Sequence, residues 1–263
     1  MEKKVNVGKE IAKTILKTLA IITIIVVFSA LGFYVVNPRF SAGVCEKLGW
    51  QNAEISCYEL LYARNKDDSD LYNLIVKLGN VDEYQKQNDY IDKLQMLESY
   101  STFCNNMDAS VLDAYNAGEV SKNNLALLYG TNEYLTSTKS VNLIKQGKYE
   151  EAYNCILASK NTDKTYELSV YNFVENLYAS DASNDVKDNY FTQIEADFGD
   201  YLEQKYSLLP LNTTGPTKIL VAYTKLKIEY TQYIIALQNN AEDIADRYVH
   251  WQESQNVYNN LII

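Results

Sequence analysis

Apolar positions along this chain follow two regimes. From Thr18 to Val36 they are nearly continuous: TLAIITIIVVFSALGFYVV contains no charge, no Asn, no Gln and no Pro. As a helix this run is about 28 Å long, close to the hydrocarbon thickness of a bilayer. Beyond it, apolar residues recur at steps of three and four, the period of amphipathic helices, with polar clusters and single glycines between them. The pattern predicts helices over 40–48, stopped by Gly49, and over 53–64, capped by Asn52. A third runs over 71–78, capped by Ser69 or Asp70 and ended by Gly79, and a fourth over 81–98. Asp108 is placed to cap 109–117 before Gly118; helices over 120–129 and 132–146 follow, closed by Gly130 and Gly147. Farther on, Thr162 or Asp163 caps a helix reaching Tyr178, and another covers 186–206.

Leu209 to Thr217, LPLNTTGPT, is the clearest break in the chain. After it comes the most regular stripe: Ile219, Tyr223, Leu226, Tyr230, Tyr233, Leu237, Ala241, Ile244, Tyr248, Trp251, Gln255, Tyr258 and Ile262. An added step of four at Leu237–Ala241 falls beside Asn239-Asn240. The stripe is one long helix with a stutter or two helices broken at the Asn pair. Its seam buries against the preceding helices or pairs with a second copy through 219–262.

The segments also repeat. Lys47-Leu48-Gly49 and Lys77-Leu78-Gly79 stand 30 residues apart, and helix pairs at periods of about 30–45 residues mark α-solenoids. Gln146 to Ala158, QGKYEEAYNCILA, resembles the turn and second helix of a tetratricopeptide repeat (TPR). Gly49 to Leu61 resembles the same stretch with one residue fewer in the turn. The resemblance covers about half of 39–160 and implies a TPR-like array of helical hairpins. It implies that Gly49, Gly79, Gly118 and Gly147 are turn residues, that Tyr149 fills the gap between helices and that Ala152 permits their close approach. It further implies protein or peptide binding on a concave face of first helices, here including parts of Leu71–Leu78 and Asn132–Gln146.

Charge gives the apolar run a direction. Residues 1–36 carry Lys3, Lys4, Lys9, Lys13 and Lys17 against Glu2 and Glu10, leaving 19 basic and 32 acidic residues beyond, a balance of −13. Lysines ahead of the run place the amino terminus in the cytoplasm and the large acidic part outside the plasma membrane. Thr18–Val36 is then a signal anchor in the bilayer, with 1–17 a basic tail; Ala30-Leu31-Gly32 leaves open cleavage near Gly32 and secretion. The negative balance disfavours nucleic acid as a partner. Ten Gly and three Pro in 263 residues argue against a turn-rich sheet protein and for long helices. The expected organisation is all-α: the anchor, TPR-like repeats over 37–160, and a C-terminal helical region over 161–263.

Candidate chemistry is sparse. His250 is the single histidine, no glycine-rich phosphate loop exists, and Asp181 to Asp185 lacks the glycine and distal Glu of a calcium loop. No catalytic, metal or cofactor site is expected. Four cysteines occur, Cys45, Cys57, Cys104 and Cys155. Cys45 and Cys57 are symmetric about the 49–52 turn and form a candidate disulfide pair, with two small core residues as the alternative reading. These features point to a membrane-anchored, extracytoplasmic scaffold or adaptor that binds protein, and away from an enzyme. The alternative is a small-molecule or glycan sensor with a pocket lined by some of the 23 tyrosines.

Overall fold

The structure, a computed structural model, describes residues 7–117, 130–159, 167–208 and 216–262. The chain is all-α, with twelve helices and no strand among the described residues. It divides into two compact units, Met1–Glu83 and Tyr84–Ile263.

The first unit contains α1 (Val7–Val36), α2 (Pro38–Leu48), α3 (Gln51–Asn65) and α4 (Asp68–Gly79). Pro38 opens α2, and the Asn37 side chain accepts a hydrogen bond from the Phe40 amide, so the chain turns sharply after α1. Gly49 closes α2 at φ 70°: its amide bonds the Glu46 carbonyl and the Trp50 amide bonds that of Cys45. This paired closure needs a left-handed residue, which glycine adopts without Cβ strain. Trp50 and Asp67 occupy the N-cap positions expected for Asn52 and for Ser69 or Asp70. The Asp67 carboxylate accepts from both the Ser69 and Asp70 amides. Gly79 is the last residue of α4, followed by Asn80 in right-handed geometry, and Asp82 supplies the left-handed turn at φ 58°.

Two ion pairs fix the stacking here. Arg39 Nη2 bonds Asp70 Oδ1 at 2.6 Å and Lys77 Nζ bonds Glu46 Oε1 at 2.8 Å. Both join α2 to α4 at a separation of 31 residues, so those helices run parallel and in step, with α3 reversed between them. Lys77 also lies 2.7 Å from Glu54 Oε1 on α3. Its pKa is raised because these carboxylates outweigh the cost of burying the ammonium.

The second unit contains α5 (Tyr84–Gln95), α6 (Tyr100–Asn116), α7 (Thr131–Lys145), α8 (Tyr149–Ser159), α9 (Glu167–Ala179), α10 (Asn184–Leu208), α11 (Pro216–Asn239) and α12 (Ile244–Ile262). The expected helix over 81–98 is shorter, and the one over 109–117 is the end of a longer helix. Asp108 sits inside α6 and caps α7 instead: its Oδ1 accepts from the Thr131 amide and hydroxyl, both at 2.7 Å. Gly130 precedes at φ 95°, and a Cβ there would stand 3.2 Å from Asp108 Oδ2. Gly118, the helix over 120–129, the caps at Thr162 and Asp163, and residues 209–215 of the expected loop lie outside the described residues.

Alternate helices again run in parallel. Ser169 N donates to Glu133 Oε1, and Asn172 Nδ2 donates to Ser137 Oγ, joining α7 to α9 at offsets of 36 and 35 residues. Between them α8 is antiparallel, Ser140 Oγ donating to the Ala152 carbonyl at 3.1 Å. Ser140 and Ala152 are both fully buried, so small side chains permit this approach. Gly147, at φ 73°, turns α7 into α8 with the same double closure as Gly49. The core gathers Ile144, Ile156, Phe173, Leu177, Phe191, Ile194 and Phe198 from four helices, with Tyr149 packed against it. Tyr153, Phe173 and Tyr190 meet at centroid distances of 5.6–6.0 Å.

The C-terminal stripe is two helices, broken where Asn240 takes φ 50°. They fold back on each other. Tyr223 meets Tyr258 at 5.2 Å, Tyr230 and Tyr233 each meet Trp251 at 5.3 Å, and Tyr233 meets Tyr248 at 5.5 Å. Five of the 23 tyrosines are thus spent on the contact between these two helices.

Candidate functional site

Among the described residues of the second unit, two grooves are large enough to receive a ligand. The first, about 610 Å³, lies among α5, α7 and α8. Helical spacing puts Gln85, Asn88, Asp92 and Gln95 on one face of α5 and Asn132, Thr136, Lys139 and Leu143 on one face of α7. α8 adds Glu151, Asn154, Cys155 and Ala158. The α5 and α7 faces meet antiparallel: Lys139 pairs with Asp92, and Asn142 Nδ2 donates to Asn88 Oδ1 at 2.9 Å and Gln87 Oε1 at 2.7 Å. At the open end Lys148 Nζ donates to Gln85 Oε1.

This groove is dominated by amides and hydroxyls. Each amide side chain both donates and accepts, as a peptide backbone does. Asn88 is the notable member. It is 3% exposed and lines the groove, yet its Nδ2 has no hydrogen-bond acceptor among the described residues. A buried donor left unpaired costs about 1–3 kcal/mol, which a carbonyl oxygen arriving in the groove would recover. Cys155, half-buried in the wall with Sγ 3.7 Å from the Thr136 carbonyl, has its thiol pushed up to about 11 by burial, so it is protonated at neutral pH and a poor nucleophile.

The second groove, about 560 Å³, lies among α10, α11 and α12 and is acidic, with Glu195, Asp200, Glu229 and Glu253 facing Lys225 and His250. Gly199 opens its wall, since nothing lies within 4 Å of where a Cβ would stand. Glu229 accepts a 2.5 Å hydrogen bond from Ser254 Oγ. Burial raises the Glu229 carboxyl above its ordinary value, against the opposing hydrogen bond from Ser254 and the charges of Lys225 and His250. His250 lies in the wall of this groove, beside Glu229, Glu253 and Ser254. No cluster of His, Cys, Asp or Glu among the described residues has the arrangement of a metal site.

Among the described residues neither groove has a Tyr or Trp in its lining. Asn132 and part of the expected 132–146 face do line the first groove, whereas Leu71–Leu78 contributes to neither. Cys45 and Cys57 are buried free thiols in one cluster with Ala42, against which Tyr34 and Tyr58 pack; no disulfide joins them. Burial pushes the Cys57 thiol up to about 11. Cys104 is buried as well.

At the amino-terminal end, α1 exposes Ile15, Leu16, Leu19, Ile21, Ile22, Ile24, Ile25, Val35 and Val36 to its surroundings. Among the described residues no helix is long and apolar enough to cross a membrane. The side chains of Val26, Val27, Phe28, Ala30, Leu31 and Phe33, six of the 19 positions in the expected span, lie outside the described residues. Comparison of the chain with family models, curated proteins and solved structures found no match.

Proposed function

We propose that this chain is a membrane-anchored adaptor whose second unit binds an extended peptide segment of a partner protein in the groove among α5, α7 and α8. The observation that carries this reading is the unpaired Asn88 Nδ2, buried in a wall of Gln85, Asn132, Thr136 and Asn154. An extended peptide presents alternating carbonyl and amide groups to such a wall, and burial of its donors and acceptors against amides leaves few unpaired. The amide- and hydroxyl-rich described lining of the first groove favours this reading over a glycan pocket, where sugar faces stack on rings.

The stacking of parallel alternate helices supports the same reading. Parallel first helices at offsets of 31 residues in one unit and 35–36 in the other are what tandem helical hairpins produce. Anchorage rests on the 19-residue uncharged run, on the lysines ahead of it, and on the exposed aliphatic side chains along α1. On the lysine bias the amino terminus lies in the cytoplasm and α2 to α12 lie outside.

The test is selection from an unbiased displayed-peptide library on the full chain held in lipid nanodiscs. Enrichment of a common sequence over empty nanodiscs, abolished when Asn154→Ala is introduced into the exposed wall, is the expected result. No enrichment, or enrichment indifferent to Asn154, contradicts the assignment.

A further inference from the structure

We infer that α2 and Trp50 form an interfacial foot, an apolar face that lies in the headgroup layer of the bilayer entered by α1; this rests on the anchorage proposed above. α2 is strongly two-sided. Pro38, Ser41, Ala42 and Cys45 are buried against the rest of the unit. The other side exposes Phe40 (57%), Val44 (37%) and Leu48 (53%) at steps of four, and Trp50 follows at 60%. Lys47 is exposed and borders the stripe.

Three observations make lipid the occupant. First, a single residue, Asn37, separates the exposed end of α1 from α2, so the stripe, which opens at Phe40, begins four residues beyond Val36, itself 77% exposed. Second, Tyr34 packs on the cluster of Ala42, Cys45 and Cys57, which holds the end of α1 against α2 and α3. The first unit cannot then hang on a long tether; its foot stays at the membrane surface. Third, the composition is that of an interfacial helix: bulky apolar residues, an indole at the end and a bordering lysine beside lipid phosphates. A helix of 11 residues, about 16 Å long, fits within the headgroup layer if it lies flat.

The experiment uses the full chain reconstituted in phosphatidylcholine–phosphatidylglycerol vesicles whose acyl chains are brominated near the headgroup. Trp50 emission is isolated as the component lost in Trp50→Phe, which separates it from Trp251. The expected result is a drop of roughly twofold or more in Trp50 emission in brominated vesicles, with the paired variant Phe40→Glu, Leu48→Glu relieving most of the quenching at unchanged helix content. Flotation after carbonate extraction is read in parallel. Protein that fails to float overturns the anchorage and the foot together. Protein that floats while Trp50 stays open to aqueous acrylamide and untouched by bromine overturns the foot alone. Trp50 shielded from both quenchers only as protein density rises assigns the stripe to a second copy, which also overturns it.

Discussion

In the first unit α2 and α4 are tied by Arg39–Asp70 and Glu46–Lys77; in the second, α7 and α9 are tied by Glu133–Ser169 and Ser137–Asn172. The helical register is similar and the chemistry is not. The first unit buries Ile55, Leu61, Leu71, Leu74, Ile75 and Leu78 beside its ion pairs, with Ala42, Cys45 and Cys57 in a further cluster, whereas the second packs rings and branched aliphatics from successive helices into one core. An ion pair states which helix belongs beside which and at what height, but adds little net stability. Apolar packing supplies stability and leaves register to be set by the amides and hydroxyls around it. In the second unit one amide at the groove, Asn88, is left with polar capacity unspent.

The largest expected effect is in the core of the second unit. Phe173→Ala removes a fully buried ring in contact with Tyr153 and Tyr190 and is expected to cost about 3–5 kcal/mol in urea unfolding. Amide exchange should speed up throughout α7 to α10 and stay slow in α2 to α4 if the units are energetically separate. Loss of protection in both would break the comparison.

Next in size is Lys77→Met. It strips the cation from Glu54, which is 5% exposed, and an unpaired buried carboxylate makes this worth about 2–4 kcal/mol. Adding Glu54→Met should restore most of that loss, because the cost lies in the stranded charge; a double variant as unstable as the sum of the singles would refute this.

Gly130→Ala comes third, at about 1–2 kcal/mol, since it forces a left-handed alanine and pushes its Cβ toward the Asp108 carboxylate that caps α7. Removing that carboxylate first, with Asp108→Ala, should make the second substitution cheaper.

The smallest effect is a pH dependence. The folded Glu229 carboxyl titrates above its unfolded value, so the folded state holds its proton more tightly. That contribution is present below the unfolded pKa and is lost as pH rises through the folded one. Glu229→Gln keeps an acceptor for Ser254 and avoids the buried charge. Its melting temperature should exceed that of the parent at neutral pH, with the gap closing under acid conditions.

These elements differ in how plainly they can be read from residues alone. Gly49 and Gly147 are legible because a left-handed helix end is a local demand, met within a few residues. Asp108 is not. A carboxylate ahead of an apolar run looks like the cap of its own helix, while its partner, Thr131, stands 23 residues away. The tyrosine stripe after residue 216 announces two amphipathic helices or one, but an apolar seam looks the same whether it closes on itself or on another chain. The structure shows Tyr223, Tyr230 and Tyr233 closing onto Tyr258, Trp251 and Tyr248 of the same chain. The groove was hidden for a similar reason. Asn88 and Gln95 share a helical face with apolar neighbours, and only the pairing of α5 with α7, across more than 40 residues, turns that face into a wall.

The most direct test of peptide binding at that wall is calorimetric titration of the best-enriched synthetic peptide into the full chain and into Asn88→Leu, which has nearly the same shape but no donor. Gln87 remains to accept from Asn142, so the fold is preserved. A loss of affinity of about tenfold or more, with Glu253→Gln in the acidic groove binding as the parent does, is the predicted result, in line with an unmade buried hydrogen bond. Equal affinity for the parent and Asn88→Leu would contradict it.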